Sequence, residues 1–157
     1  MANMSIVTNV VEPLMIEWVS SQVGMPLSKR KVPIGKNSAK QTIHFDFDGI
    51  SVDGAIACLA SSSNSNKVGQ TRKLFRDAYL LMKIPAKRKI MVFLEDGRDL
   101  WSAFYNDNDG ILELSLIEPM FCQIDPTIMA ELAQSRQNAK DEVGNKGRVK
   151  KTGGSRR

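Results

Sequence analysis

The stretch QTIHFDFDGISVDGAIACLASSS, residues Gln41–Ser63, decides the fold. Ile43, Phe45 and Phe47 alternate with His44, Asp46 and Asp48, the two-residue period of a strand with one apolar face. Asp53-Gly54 is a hairpin-turn signal between two apolar runs. Ala55–Ala60 is small and apolar without alternation, as in a strand covered on both faces. Burying the Phe45/Phe47 face is worth about 1.5–3 kcal/mol per side chain. Asp46 and Asp48 then share the opposite face, where unpaired burial is costly, so they need water, a cation or a basic partner.

Working upstream, Val7, Val10, Val11, Leu14, Met15, Trp18 and Val19 fall at helical spacing, with Glu12 and Glu17 on the wet side. Pro13 either kinks this helix or marks its start near Glu12, and Gly24 and Pro26 end it. Residues 28–40 form an exposed basic segment holding Lys29, Arg30, Lys31, Lys36 and Lys40, with a short strand around Pro33. Downstream, Ser61–Asn66 is a polar loop. Lys67–Lys83 is the strongest helix of the chain, with Val68, Leu74, Phe75, Ala78, Tyr79, Leu81 and Met82 compatible with one face. Ile90–Leu94 is a buried strand, and Leu100, Trp101, Phe104 and Tyr105 mark a third helix. Ile111–Ile117 reads as a strand and Pro126 to about Asn138 as a short final helix. The order implies an α/β domain over residues 1–135, a mixed central sheet entered by an antiparallel hairpin and flanked by helices.

The 157 residues carry 22 Lys+Arg against 17 Asp+Glu, but the charge is segregated. Residues 136–157 hold a net +6, and the other 135 residues a net −1. This segment, from Arg136 through Lys146, Arg148, Lys150 and Lys151 to Arg157, has few apolar residues and reads as a disordered basic tail. It serves either as a tether for phosphates or another polyanion, or as a solubilising terminus. No apolar run is long enough to span a membrane, and no secretory signal is evident at the N-terminus. Cys58 and Cys122 lie far apart, outside any zinc-ligand spacing, which suits free thiols and a cytoplasmic location. No GxGxxG, Walker A, HExxH or GxSxG motif occurs. His44 is the lone histidine and reads as structural, as Trp18, Trp101 and Tyr105 read as core or interface aromatics.

The carrying segments for a family likeness are EPLMIEWVSSQVGMPL, FDGISVDGAIACLASSS, NKVGQTRKLFRDAYLLM and RKIMVFL. In order and pattern, Trp18–Phe93 resembles the restriction-endonuclease-like fold, the PD-(D/E)XK nuclease superfamily. The resemblance covers about half the chain. It implies a helix carrying an acid, a strand delivering a metal-binding Asp, and a following strand delivering the (D/E)XK pair. Asp48 falls at the Asp position, and the triplet falls at Cys58-Leu59-Ala60. Cys58 therefore stands in place of the second acid and Ala60 in place of the lysine. A thiol is a poor magnesium ligand, and Ala60 cannot orient or deprotonate a water.

Three readings follow. The chain keeps the fold and binds nucleic acid, expected to be DNA, or a protein of a defence or DNA-processing assembly, without cutting. Alternatively it is a magnesium- or manganese-dependent endonuclease with relocated groups: Asp46 joins Asp48 at the ion, Glu12 or Glu17 approaches from the first helix, and Lys67 or Lys73 replaces the lysine. In the third reading it is a different α/β domain. Lys73 and Asp77, four apart, read as a surface ion pair worth about 0.3–0.5 kcal/mol. Lys67 disfavours the helix dipole, which points to an outside anion. Expected nucleic-acid contacts are Lys29, Arg30, Lys31, Lys67, Arg72, Lys146, Arg148, Lys150 and Lys151, with Lys87-Arg88-Lys89 a further basic run. A homodimer or larger assembly is the expected state by analogy with nucleases that cut both strands.

Overall fold

The structure is a computed structural model; it describes residues 6–65 and 67–152, with side chains through residue 144. The chain divides into two compact units, Glu12–Gln123 and a second made of the residues up to Val11 with those from Ile124 onward. In the first unit, α1 (Glu12–Val23) is followed by β1 (Leu27–Lys36), β2 (Thr42–Ser51) and β3 (Ile56–Ser61). Then come α2 (Val68–Lys83), β4 (Arg88–Leu94), α3 (Arg98–Asn108) and β5 (Glu118–Cys122). The sheet is five-stranded and mixed, in the order β1-β2-β3-β4-β5. The first three strands form an antiparallel meander, and β3, β4 and β5 run parallel. Parallel neighbours need a crossover, which α2 and α3 supply.

The elements follow from local chemistry. Pro13 is the second residue of α1, where a missing N–H costs little, and a π-helical turn over Val7–Val11 precedes it. Gly24 at φ 71° accepts the left-handed conformation that ends the helix. Gly54 at φ 72° makes the β2–β3 turn, and Asp53 Oδ1 accepts from Ser51 Oγ at 2.7 Å and Ala55 N at 3.0 Å. Every residue of β3 is buried, as its unbroken small apolar run predicts.

One core joins α2 and α3 to the sheet. Leu74, Ala78 and Leu81 from α2 meet Leu100, Trp101 and Phe104 from α3 and Ala57, Leu59, Met91 and Phe93 from the strands. Phe93 lies 5.5 Å from Trp101 and 5.6 Å from Phe121, centroid to centroid. By strand alternation Cys58, Ala60, Ile90 and Val92 face the other side. There α1 packs on the sheet through buried Met15, Ile16 and Val19. Gly49 sits under this helix: a Cβ on it would stand 3.1 Å from Ile16 Cγ2 and from Leu27 Cβ.

Four expectations change. Phe47 is fully buried, but Phe45 is 36% exposed, because the β2–β3 ladder stops short of it. Ile111–Ile117 is a turn and a 3-10 segment, and the strand is β5, just beyond it. Leu112, Leu114 and Ile117 are buried without belonging to a strand, so an irregular segment produced the apolar spacing. The basic segment around Pro33 is a full ten-residue strand, β1. Finally, the second unit contains α4 (Pro126–Thr152), which continues through the residues expected to be a disordered tail. Its composition is polar but rich in helix formers, with side-chain bonds four apart at Gln134–Asn138 and Gln137–Asp141. Residues 153–157 lie outside the described residues.

Candidate functional site

The site originates in a fault in β2. Ser28 pairs with Ile50 and Arg30 with Phe47, so the single residue Lys29 faces two, Asp48 and Gly49. This is a β-bulge, which re-aims side chains and breaks the ladder. It explains how Phe47 and Ile50, three apart, both enter the α2-facing core. The ladder from β2 to β3 covers only Gly49–Cys58 and Ile50–Ala57. Past it the two strands part, and side chains meet the backbone of β3.

Both backbone groups of Ala60 are taken in this way. Asp48 Oδ2 accepts the Ala60 N–H at 2.8 Å. Lys73 Nζ, from α2, donates to the Ala60 carbonyl at 3.3 Å. Lys73 also stands 3.6 Å from Asp77 Oδ2, and Arg76 Nη2 donates to Asp77 Oδ1 at 3.2 Å. The expected surface pair is therefore a correction. Asp77 is only 3% exposed, since it shares the inner face of α2 with Leu74, Ala78 and Leu81.

Electrostatics adds a further acid. Glu12, the first residue of α1, is half-buried and held above the ordinary carboxylate value. Burial is the main cause and the negative charge of Asp48 the next, opposed by Lys73 and Lys29. Asp77 is also held high, again by burial first, with Lys73 and Arg76 pulling against it and Asp48 adding to it. Glu12, Asp48, Asp77, Lys73 and Lys29 thus feel one another around the fork. Burial pushes the Cys58 thiol far above its usual value, and Asp48 adds to the effect. Cys58 is a protonated core residue. Cys122 is pushed up to about 11, mainly by burial.

Of the candidate catalytic residues, Asp48 and Lys73 come together, and Asp46 and Lys67 stand apart. Asp46 is exposed and faces Lys31 across the β1–β2 pair. Lys67 is exposed just ahead of α2. Glu17 is exposed too, so Glu12 is the acid of α1 that approaches. Among the expected nucleic-acid contacts, Lys29 acts on Glu12, and Lys31 and Arg72 are exposed. Arg30 Nη2 donates to the Ser51 carbonyl at 3.2 Å. In the other basic run, Arg88 pairs with Glu118 at 2.9 Å and Lys89 donates to the Met82 carbonyl at 3.0 Å. The side chains of Lys146, Arg148, Lys150 and Lys151 lie outside the described residues.

Among the described residues, no three His, Cys, Asp or Glu side chains stand together as a metal-binding group. Magnesium does not need three: it commonly uses one or two carboxylates and completes its shell with water and substrate phosphate. Asp48 and Glu12 fit that donor set, since one Asp48 oxygen serves Ala60 and the half-buried Glu12 carboxylate feels the charge of Asp48. No helix among the described residues is long and apolar enough to cross a membrane. No family model, curated protein or solved structure matches the chain.

Proposed function

We propose that the chain is a restriction-endonuclease-like protein that cleaves phosphodiesters of nucleic acid with a divalent cation and a relocated lysine. The observation that carries this reading is the pair of side chains on Ala60. The missing lysine belongs at position 60, and the amine of Lys73 reaches the backbone of that same residue. Asp48, at the expected acid position, holds the other side of it. The mixed sheet with flanking helices is compatible with such a fold.

In this reading Asp48 and Glu12 hold magnesium or manganese, which supplies charge neutralisation at the phosphate and a more acidic water. Lys73 orients the attacking water and offsets the charge that builds on the phosphate. Asp77 Oδ2, 3.6 Å from it, holds the Lys73 amine. Lys29 faces the same acids and is available to a phosphate. Glu12 must lose its proton to accept the cation, so cation binding strengthens as the pH rises through its raised value.

A second reading keeps the binding and drops the cleavage. It is favoured by Cys58 and Ala60, which are both buried and chemically inert at the motif positions. One experiment separates the two. Manganese and magnesium are titrated into the purified chain and into Asp48→Ala, with plasmid and single-stranded DNA and RNA as substrates. Cation-dependent cleavage lost in Asp48→Ala supports the first reading. Nucleic-acid binding without cleavage at any cation concentration, in a folded protein, supports the second.

A further inference from the structure

Charge in the first unit is divided between its two crossovers. Residues 67–89, which hold α2 and lead into β4, contain eight Lys or Arg and one acid, the buried Asp77. Residues 99–123, which hold most of α3 and run through β5, contain five acids and no Lys or Arg. Each stretch also exposes apolar side chains. On α2, Val68, Arg72, Phe75 and Tyr79 are all exposed, and their spacing of four, three and four places them on one outward stripe. The stripe ends in a cation on a ring: Lys83 Nζ stands 5.3 Å from the Tyr79 centroid. After α3, Ile111 is 72% exposed and Leu116 is exposed as well, between and beside the exposed acids Asp109 and Glu113.

The topology sets the two patches at one end of one layer. Helices α2 and α3 contribute to the same core, and each leads into the start of a strand, α2 into β4 and α3 into β5. Those strands run parallel, with Ile90 opposite Glu118. Tyr79 and Lys83 therefore lie at the same end of the layer as Asp107, Asp109 and Ile111. The two charge sets already meet once there, in the Arg88–Glu118 pair. Asp107 and Asp109 are otherwise badly placed: one is in the last turn of α3 and the other caps it, with no base in that turn. Negative charge opposes the helix dipole at that end, and a cation from outside relieves it.

A polyanion approaching the end of α2 meets these acids beside it. A second copy of the chain supplies both signs and an apolar partner for each patch. Because the patches share one end of one layer, a two-fold rotation lays the acidic segment of each copy on α2 of the other, making two identical contacts. We propose that the chain pairs with itself in this way, the outward stripe of α2 receiving the Asp107–Leu116 segment of a second copy. The inference does not rest on the nuclease reading, since none of these residues belongs to the fork at Asp48.

Sedimentation velocity of the full chain over a range of concentrations, at low and high salt, tests it. The variants are Arg72→Glu/Lys83→Glu, which makes both patches acidic, and Asp107→Lys/Glu113→Lys, which makes both basic. All four positions are exposed, and thermal melts show that each variant is folded. Wild type is expected to sediment with the mass of two chains, and to dissociate more readily at high salt, where exposed charges are screened. Each variant alone is expected to pair at least about tenfold more weakly. An equimolar mixture of the two is expected to recover the mass of two chains, because both contacts are again of opposite sign. A wild type that stays single at every concentration, pairing that neither reversal weakens, or a mixture that stays single overturns the proposal. A single wild-type chain that instead binds labelled DNA, with the affinity lost in Arg72→Glu/Lys83→Glu, assigns the α2 stripe to a polyanion and overturns it as well.

Discussion

The two halves of β2 have the same strand pairing on one side and opposite fates on the other. Gly49–Ser51 lies between β1 and β3 and is buried. Thr42–Asp46 has only β1 beside it, and of these residues only Ile43 is even partly covered. The bulge at Asp48–Gly49 is the border. The buried half fixes the geometry of the fold, and the open half leaves its polar groups available. The site stands at the border, where the backbone edge of a buried strand, that of Ala60, meets side chains from two other elements, Asp48 of β2 and Lys73 of α2.

The largest expected effect breaks the border chemically. If the cleavage reading holds, Lys73→Ala lowers cleavage by about 10²–10⁴-fold, the range for a lost proton-transfer or orienting group. Rates on a supercoiled plasmid with saturating manganese measure it. Next, the halves separate in stability. Phe47→Ala costs about 3–5 kcal/mol, and Phe45→Ala, already more than a third exposed, costs well under half of that. Urea unfolding of the two variants, compared at matched denaturant slopes, gives the difference.

Smaller effects sharpen the same contrast. Gly49→Ala forces a methyl against Ile16 and Leu27 and costs about 1–3 kcal/mol, whereas Gly35→Ala, with open space around it, stays within about 0.5 kcal/mol. The smallest is a pH effect. Asp77 binds its proton more readily in the fold than in the unfolded chain, since burial raises its pKa. The folded state therefore holds more protons between the ordinary carboxylate value and the raised one, and stability declines as the pH rises through that window. Asp77→Asn flattens the decline. Thermal melts from pH 3 to 8 without divalent cation measure both slopes.

Much of the fold is written in the periodicities. The alternation at Ile43–Asp48, the turn at Asp53-Gly54 and the unbroken run at Ala55–Ala60 predict β2, the turn and β3 as they stand. Helix α2 is equally plain. Strand β5 is harder to read: it is short, lies at the sheet edge and contains Pro119, which only an edge strand tolerates. The bulge leaves no mark in the local pattern, because it depends on the register with β1. Without it the contact between Asp48 and Ala60 is invisible. Asp77 reads in the sequence as half of a surface pair, although its helical spacing between Leu74 and Leu81 puts it on the apolar face. A carboxylate on such a face requires a cation, and Lys73, one turn before it, supplies one.

In the proposed reaction Lys73 does at Ala60 what a lysine at position 60 would do. Single-turnover cleavage of a saturating DNA duplex by wild type and Lys73→Ala, with manganese and with melts showing both folded, tests it most directly. A rate at least a hundredfold lower in Lys73→Ala, with nucleic-acid affinity nearly unchanged, is expected. Equal rates in the two proteins, or no cleavage by wild type, would contradict it.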